Sequence, residues 1–280
     1  MVALYGRHVS TATEFWGQAL REWAIPPEIL ESAPRPPWGF PVARFAERTD
    51  AALTNPGGLT YDETKRWLGA GGSLLDVGAG VGYASLPLVP PATSLTAIDP
   101  GLGMLEAYAE RAQRRGVPYR TLVGRWPELA AEAGSHDVVV ASHVFYDLQD
   151  IGPFVDAMTA SARRRVIVEH TTRHPLAWTS PLWLRFHHVV RPTRPTSSDL
   201  EAVLREHDVR DLTCTPWVRH DGYGEGDADR VALVTRRLCL PAEREPEVAD
   251  ALRELDATSP AASDGSRGTD VVTMTWAGTA

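Results

Sequence analysis

The stretch Leu74-Leu-Asp-Val-Gly-Ala-Gly-Val-Gly-Tyr-Ala-Ser85 decides the fold of this chain. An apolar run leads into three alternating glycines, and a helix over Tyr83–Leu88 is predicted to follow them. Glycine permits the tight turn and removes the Cβ atoms that would keep a ligand away from the backbone. The stretch therefore predicts a nucleotide-like ligand at the carboxyl end of a strand, beside Gly78, Gly80 and Gly82.

Two carboxylates narrow the choice of ligand. The spacing is G-x-G-x-G, whereas the dinucleotide fingerprint is G-x-G-x-x-G, and Tyr83 stands where that fingerprint has its third glycine. Asp76 lies two residues before the first glycine, where it would repel a pyrophosphate but attract an ammonium group. Asp99 ends the next predicted strand, 19 residues after Gly80, and can accept both hydroxyls of a ribose. A ligand with a ribose and an ammonium group, and without phosphate, fits both carboxylates.

Apolar strand-like runs alternate with amphipathic helical patterns from residue 72 onward. Such alternation predicts a parallel sheet with helices on both faces. Strands are predicted at Ser73–Val77, Ser94–Ile98, Tyr119–Val123, Asp137–Ala141, Arg165–Val168, Asp211–Val218 and Val271–Trp276. Helices are predicted at Thr11–Trp23, Pro27–Glu31, Val42–Leu53, Tyr61–Trp67, Leu102–Arg115, Ile151–Ala162, Ser198–His207, Ala228–Leu238 and Pro246–Leu255.

The run Asp76-Val-Gly-Ala-Gly-Val-Gly82, followed by a strand that ends in Asp99, resembles the class I S-adenosylmethionine-dependent methyltransferases of the small-molecule type. The resemblance covers residues 73–169 well, and the order of elements extends it to the last strand. It implies an α/β fold: a doubly wound, mostly parallel seven-stranded sheet with helices on both faces, an antiparallel last strand and an N-terminal helical layer. It also implies S-adenosylmethionine as the cofactor, with Asp76 near its ammonium end, the glycines around its methionine part and Asp99 on its ribose.

The adenine end of the cofactor is less clearly specified. Many members of the family carry a carboxylate after the third strand, but here the chain reads Val123-Gly-Arg-Trp-Pro-Glu128, and Arg125 cannot accept a hydrogen bond. We expect adenine to stack on Trp126 or Met104; packing of Trp126 in the helix layer is the alternative. The expected cofactor residues are Asp76, Gly78, Gly80, Gly82, Asp99, Pro100, Met104, Gly124, Arg125, Trp126, Ser142 and His143.

Candidates for the chemistry follow the fourth and fifth predicted strands, because the carboxyl ends of parallel strands meet beside the cofactor. His143, Tyr146 and His170 are the candidate catalytic residues, with His143 as a general base near neutral pH. Alternatively, His143 orients the chain or contacts the cofactor, and Tyr146 forms a wall of the pocket. His170 and His174 are four residues apart, but a metal site would require a further ligand, so no metal is expected.

Two segments are candidates for covering the acceptor. Residues 1–70 are expected to form a helical cap on a methyltransferase domain of residues 71–280, which includes a lid insertion at 171–197 and a helical insertion with a mobile loop at 219–270. The alternatives are that the cap only packs on the domain and that the insertion is a short helix on the sheet edge. Arg185, Arg191 and Arg194 could meet a substrate carboxylate or could be solvated. The predicted substrate-binding residues are Trp16, Trp38, His174, Trp183 and His187.

Composition limits the partners. The 280 residues carry a net charge of −8, which disfavours nucleic acid, and neither a leader segment nor an apolar run long enough to cross a bilayer is found. With only two cysteines, the chain suits the cytoplasm. We therefore predict a cytoplasmic enzyme that methylates an oxygen, nitrogen or carbon atom of a small organic acceptor. The alternatives are an RNA- or protein-modifying methyltransferase and a non-catalytic module that binds S-adenosylmethionine; the oligomeric state stays open.

Overall fold

A computed structural model describes residues 10–39, 41–220, 227–258 and 268–280. Its centre is a seven-stranded sheet in the order β3-β2-β1-β4-β5-β7-β6. The first five strands run parallel, and β7 is antiparallel to both of its neighbours, which confirms the predicted α/β fold. The strands are β1 (Gly72–Val77), β2 (Ala92–Asp99), β3 (Tyr119–Val123), β4 (His136–Ser142), β5 (Ala162–Thr171), β6 (Thr213–Arg219) and β7 (Thr269–Ala277).

The central strands are apolar without interruption because both of their faces are covered. In β4, Val138 and Val140 belong to one apolar cluster, whereas Val139 and Ala141 belong to another. Successive side chains of a strand point to opposite faces, so the two clusters lie on opposite sides of the sheet. All four side chains are fully buried.

The helices follow the sequence pattern closely, and α5 has the predicted bounds. They are α1 (Ala12–Arg21), α2 (Pro27–Glu31), α3 (Val42–Thr54), α4 (Leu59–Leu68), α5 (Leu102–Arg115), α6 (Ala130–Ala133), α7 (Gly152–Ser161), α8 (Ser180–His187), α9 (Ser197–Glu206), α10 (Asp227–Arg237) and α11 (Glu245–Thr258).

Two local differences from the sequence prediction have clear causes. The predicted helix Tyr83–Leu88 is wrong: only one 3₁₀ turn, Leu86–Leu88, forms there, because Pro87 lacks the N–H that a longer helix would need. The insertion after β5 contains α8, which begins Ser180-Pro181 and so has proline in its first turn, where no intrahelical N–H is required. The short helix left open as an alternative for this insertion is therefore present.

The N-terminal helices pack on the sheet domain. Trp16 of α1 is fully buried, and its indole N–H donates to the Leu148 carbonyl at 2.9 Å. Thr11 begins α1 with a capping box that it shares with Glu14, which fixes where the helix starts. Helix α1 contacts α9, and α4 contacts β5. The division into a cap and a main domain stays a prediction.

Two further predictions concern the mobile loop and membrane-spanning segments. The predicted mobile loop lies mostly on residues 259–267, outside the described residues. Among the described residues, none of the helices has the length and apolar character that crossing a membrane requires.

Candidate active site

The three loop glycines have different neighbours although all have positive φ angles, 70° at Gly78, 52° at Gly80 and 94° at Gly82. A Cβ atom on Gly78 would collide with the side chain of Val144, and one on Gly82 with Leu86. A Cβ atom on Gly80 would meet nothing within 4 Å. Gly78 and Gly82 are thus required by the protein's own packing, whereas Gly80 borders open space that a ligand could occupy.

Asp99 is held against this loop by backbone N–H groups. Its Oδ2 accepts from the Gly80 N–H at 2.9 Å, and its Oδ1 accepts from the Gly101 N–H at 2.8 Å. Each carboxylate oxygen keeps a further acceptor site. Two exposed apolar side chains flank this carboxylate: Val123, paired with Asp99 across β2 and β3, and Leu102, at the start of α5. The arrangement offers acceptors for hydroxyl groups next to apolar surface for a flat ring.

Asp76 lies beneath the loop and is 1% exposed. Its Oδ2 accepts from the Ser85 hydroxyl at 2.5 Å, and the Ser85 oxygen is 3.1 Å from the Tyr108 hydroxyl. Burial raises the pKa of Asp76 to about 7; the hydrogen bond from Ser85 opposes this rise, and the negative charge of Asp99 adds to it. A cationic ligand nearby would stabilise the ionised carboxylate.

A second polar group lies at the carboxyl ends of β4, β5 and β6. His143 follows β4 with a φ of 62°, a conformation that costs free energy for a residue other than glycine. Its Nδ1 is 2.8 Å from the Tyr146 hydroxyl, and its Nε2 is 3.0 Å from Oε1 of Glu169. The Arg219 guanidinium contacts both His143 Nε2 and Glu169, the latter at 2.5 Å. Thr60 of α4 donates to the other Glu169 oxygen at 2.6 Å.

This group sets the charge states of its members. Burial alone would raise the pKa of Glu169, but its hydrogen bond with His143 and the charges of His143 and Arg219 lower it to about 2. Burial lowers the pKa of His143, Arg219 lowers it further, and Glu169 partly opposes the shift. At neutral pH the site therefore holds an ionised carboxylate beside an imidazole in its neutral, proton-accepting form.

Comparison of the sequence with models of known protein families gives a match that includes the glycine loop. The sequence model of a family described as a methyltransferase domain matches residues 75–165, which contain the glycine loop and end within β5. This segment of the chain is therefore similar to a methyltransferase domain.

Solved structures share the fold of the methyltransferase domain. YcgJ of Bacillus subtilis superposes with a TM-score of 0.52 at 18% identity, over 79% of this chain and 98% of that one. Coclaurine N-methyltransferase, solved with N-methylheliamine and S-adenosylhomocysteine, superposes with a TM-score of 0.51 at 13% identity, over 99% of this chain and 89% of that one. Identities this low show the fold alone.

One curated relative matches a smaller part of the chain. It is an uncharacterized protein of Haemophilus influenzae, 28% identical over 102 residues, or 36% of this chain. The match spans only 38% of that relative's length. The acceptor and the activity of the whole protein must therefore be argued from this chain's own residues.

The residues around the glycine loop fit S-adenosylmethionine, the cofactor that the sequence resemblance implies. Gly80 leaves space where the loop would wrap the methionine part, and Asp99 keeps acceptor sites for two ribose hydroxyls. The loop after β3 is tied to β2, since the Gly124 N–H donates to the Asp99 carbonyl at 3.1 Å. Within the described residues, no group of three or more His, Cys, Asp or Glu side chains could hold a metal ion.

Three sequence assignments need correction. The Trp126 ring lies in the core, edge-on to Phe154, and donates to the Phe154 carbonyl at 3.1 Å, so it does not stack on adenine. Trp16 is fully buried in the same core cluster and lines no acceptor pocket. His170 is 1% exposed, and its Nδ1 lies 2.6 Å from the Thr171 carbonyl, so it supports the site from within and does not reach an acceptor.

The other predicted substrate residues lie near one another. His174 stacks on Trp23 with ring centroids 3.8 Å apart, and its ring is 5.8 Å from that of Tyr146. Trp183 and the exposed Trp38 line one small cavity. The His187 ring is 5.1 Å from that of Trp183, and its Nε2 is 2.6 Å from the Leu238 carbonyl.

Sequence reasoning missed three residues of the site. Arg219 directly follows the predicted strand Asp211–Val218, and its position at the same sheet edge as His143 is a signal that could have identified it. Thr60 and Trp23 carry no comparable signal, because both come from the N-terminal helical segment and reach the site only through packing.

Replacement by alanine should mainly weaken cofactor binding at Gly80 and mainly lower stability at Gly82. We expect Gly80→Ala to fold with a loss of about 1 kcal/mol from its positive φ, yet to bind S-adenosylhomocysteine at least about 10-fold more weakly, because the new methyl group enters the cofactor space. We expect Gly82→Ala to lose roughly 1–3 kcal/mol or more of stability, because its Cβ would collide with Leu86 and lie 2.8 Å from Tyr108. Thermal melting and calorimetric titration measure both. Equal binding losses in equally stable variants would contradict this assignment.

His170 should make the folded protein sensitive to acid. Burial lowers its pKa to about 3 from the ordinary 6.5, and no described residue forms a hydrogen bond with its Nε2. Below pH 6.5 the unfolded chain binds a proton that the folded chain refuses, so stability falls as the pH drops from 6.5 toward 3. Relative to His170→Leu, we expect the wild type to lose about 2 kcal/mol more between pH 6.5 and 5. Urea unfolding measures this difference, and identical pH slopes would refute it.

Proposed function

We propose that this protein is an enzyme that transfers the methyl group of S-adenosylmethionine to an oxygen, nitrogen or carbon atom of a small organic acceptor, in the cytoplasm. One observation carries the proposal: the segment that bears the candidate base covers the cofactor loop. The Val144 side chain lies where a Cβ atom of Gly78 would be, and His143 immediately precedes it. Methyl transfer requires such closeness, since acceptor and cofactor must meet in line.

The cofactor is assigned to the edge formed by β1, β2 and β3. Asp99 accepts the ribose hydroxyls, Gly80 admits the methionine part, and Asp76 stabilises the cationic end from beneath the loop. When bound, S-adenosylmethionine supplies a methyl group on a sulfonium, which is an activated leaving group. The remaining residues assigned to its contacts are Gly78, Gly82, Pro100, Met104, Gly124, Arg125 and Ser142.

We assign to His143 the role of general base, which accepts the proton that the methyl acceptor loses. Its lowered pKa keeps the ring neutral at neutral pH, and 21% of its side chain is exposed. Because Nε2 faces the Glu169 carboxylate, Nδ1 is the nitrogen that takes up the proton, once the acceptor replaces the Tyr146 hydroxyl beside it. The ionised Glu169 stabilises the imidazolium that forms when the ring takes up the proton. Tyr146 acts as a positioning residue: its hydroxyl contacts His143 and accepts from the Thr171 N–H at 3.0 Å, which fixes the ring plane.

Segments near the N-terminus cover the part of the site assigned to the methyl acceptor, and this favours a small-molecule acceptor over a polymer. Trp23, which follows α1, stacks on His174 after β5, and Thr60 of α4 bonds to Glu169. Segments from the N-terminal 70 residues therefore lie over the carboxyl ends of the acceptor-side strands. A covered, aromatic-walled site is typical of small-molecule binding. The net charge of −8 adds to this, because it repels nucleic acid.

Two measurements, made one after the other, test the proposal. Calorimetric titration with S-adenosylmethionine and S-adenosylhomocysteine should show binding, and release of S-adenosylhomocysteine should then follow with at least one compound from a panel of phenols, amines and activated carbon acids. Failure of the folded protein to bind either form of the cofactor would contradict the proposal. Turnover restricted to protein or RNA substrates would keep methyl transfer but reject the small acceptor.

A further inference from the structure

A cavity beside α8 contains a cation that the protein itself does not neutralise. Its walls are mainly apolar but include two arginines, the half-buried Arg237 and the buried Arg191. At about 20 Å³, the cavity has room for a group the size of a water molecule, such as one oxygen of a carboxylate. Its lining includes Ile25, Leu176, Trp38, Trp183 and Arg191.

Arg191 is buried to an extent unusual for arginine, with 8% of its surface exposed. Its terminal nitrogens donate to the backbone carbonyls of Trp23 and of Ala24, the latter at 3.2 Å, while its Nε is buried without a partner among the residues that the structure describes. The guanidinium also lies 5.1 Å from the Trp23 ring and 4.8 Å from the Trp183 ring. Backbone dipoles and aromatic faces thus hold the group in place.

No carboxylate offsets this charge within the described part of the chain. Arg191 takes part in no ion pair there, and burial is the sole influence on its pKa, which it lowers. The other two arginines named by the sequence differ: Arg185 pairs with Glu254 at 2.6 Å, and Arg194 pairs with Asp199. A buried charge without a counterion is costly unless a ligand provides one.

We propose that this cavity anchors the carboxylate of the methyl acceptor, and that the acceptor is a small acid with an apolar ring. Arg191 binds the carboxylate by charge-assisted hydrogen bonds, in which guanidinium geometry matches carboxylate geometry. The ring of the acceptor packs against Trp183, whose own ring lies 4.8 Å from the guanidinium. The inference rests on the proposed function, since it names the class of its acceptor.

The cavity adjoins the proposed base through ring contacts. Trp23 touches the Arg191 guanidinium on one side and stacks on His174 on the other, and the His174 ring is 5.8 Å from that of Tyr146. Tyr146 in turn lies 2.8 Å from His143. The anchor and the proposed base thus lie on either side of this aromatic pair, so in the proposed complex the acid group and the nucleophile are at opposite ends of the acceptor.

The test compares an acid with its uncharged counterpart, with the whole protein saturated with S-adenosylhomocysteine. 4-Hydroxyphenylacetate and 4-hydroxyphenylacetamide have nearly the same shape, and only the acid is ionised at pH 7. We expect calorimetry and quenching of tryptophan fluorescence to show the acid binding at least about 10-fold more tightly. Arg191→Gln should abolish this preference. The matched control Arg185→Gln, on the same segment but already paired at the surface, should retain it.

The outcomes separate this inference from the proposed function. Equal affinity of the wild type for acid and amide, or binding of neither while S-adenosylhomocysteine still binds, overturns the anchor but leaves methyl transfer standing. A preference that survives in a folded Arg191→Gln variant also overturns it. The wild-type comparison does not require the variant to fold. Failure to bind S-adenosylhomocysteine would instead count against the proposed function.

Discussion

Replacing His143 with Asn should lower kcat for methyl transfer by about 100-fold or more, and leave the affinity for S-adenosylhomocysteine little changed. Asn is the suitable replacement because it tolerates the positive φ of this position while removing the imidazole. The loss follows from removing the proton acceptor that Glu169 and Tyr146 hold in place. Steady-state release of S-adenosylhomocysteine, together with calorimetric titration of the same variant, measures both quantities.

His188 provides the matched control for this prediction. It also has a positive φ, 57°, but lies exposed at the end of α8, so His188→Asn should turn over as the wild type does. The pH profile adds a second readout. Because the pKa of His143 lies below its ordinary 6.5, wild-type kcat/KM should persist as the pH falls through 6.5 and decline only at lower pH, whereas the His143→Asn variant should lack this decline. A His143→Asn variant with wild-type kcat would remove His143 from the mechanism.

Replacing Asp99 with Ala should weaken the binding of S-adenosylmethionine and S-adenosylhomocysteine by about 100-fold or more. The carboxylate accepts two hydroxyls of the ribose in the proposed complex, and hydrogen bonds to a charged group contribute roughly 1.5–3 kcal/mol each. The same carboxylate holds the Gly80 and Gly101 N–H groups, so the variant also loses the support of the loop. Calorimetric titration measures the affinity.

Glu106→Ala is the control for the Asp99 variant, because Glu106 is an exposed carboxylate on α5. It should bind the cofactor as the wild type does. Asp99→Asn should fall between wild type and Asp99→Ala, since the amide keeps one acceptor oxygen but loses the charge. If Asp99→Ala stayed folded and bound S-adenosylhomocysteine with wild-type affinity, the ribose site would have to lie elsewhere.

The sheet and the glycine loop could be predicted because their causes are local. The buried strands are runs of apolar residues, and the loop needs residues without Cβ at Gly78 and Gly82, where a side chain would strike Val144 or Leu86. Each signal lies within about ten residues of sequence. The same holds for α5, whose apolar period and final Gly116 mark both of its bounds.

The site around Glu169 could be predicted only in part. His143 and Glu169 follow neighbouring strands, so their closeness follows from topology, but Arg219 and Thr60 arrive from distant segments through packing. For the aromatic residues, the sequence predicts site positions for side chains that the structure places in the core. Trp126 and Trp16 carry the same chemistry as Trp183, and only the three-dimensional packing shows that the first two fill the core.

The position of β7 between β5 and β6 determines when this site is completed during synthesis. Strand β6, which carries Arg219, pairs with β7, and Thr273 of β7 lies 2.7 Å from the Thr60 hydroxyl that bonds to Glu169. Until residues 269–277 have left the ribosome, β6 has no neighbour in the sheet and the charge on Glu169 lacks its guanidinium. The nascent chain can therefore form its cofactor loop early, but it acquires a complete acceptor side only after β7 has emerged.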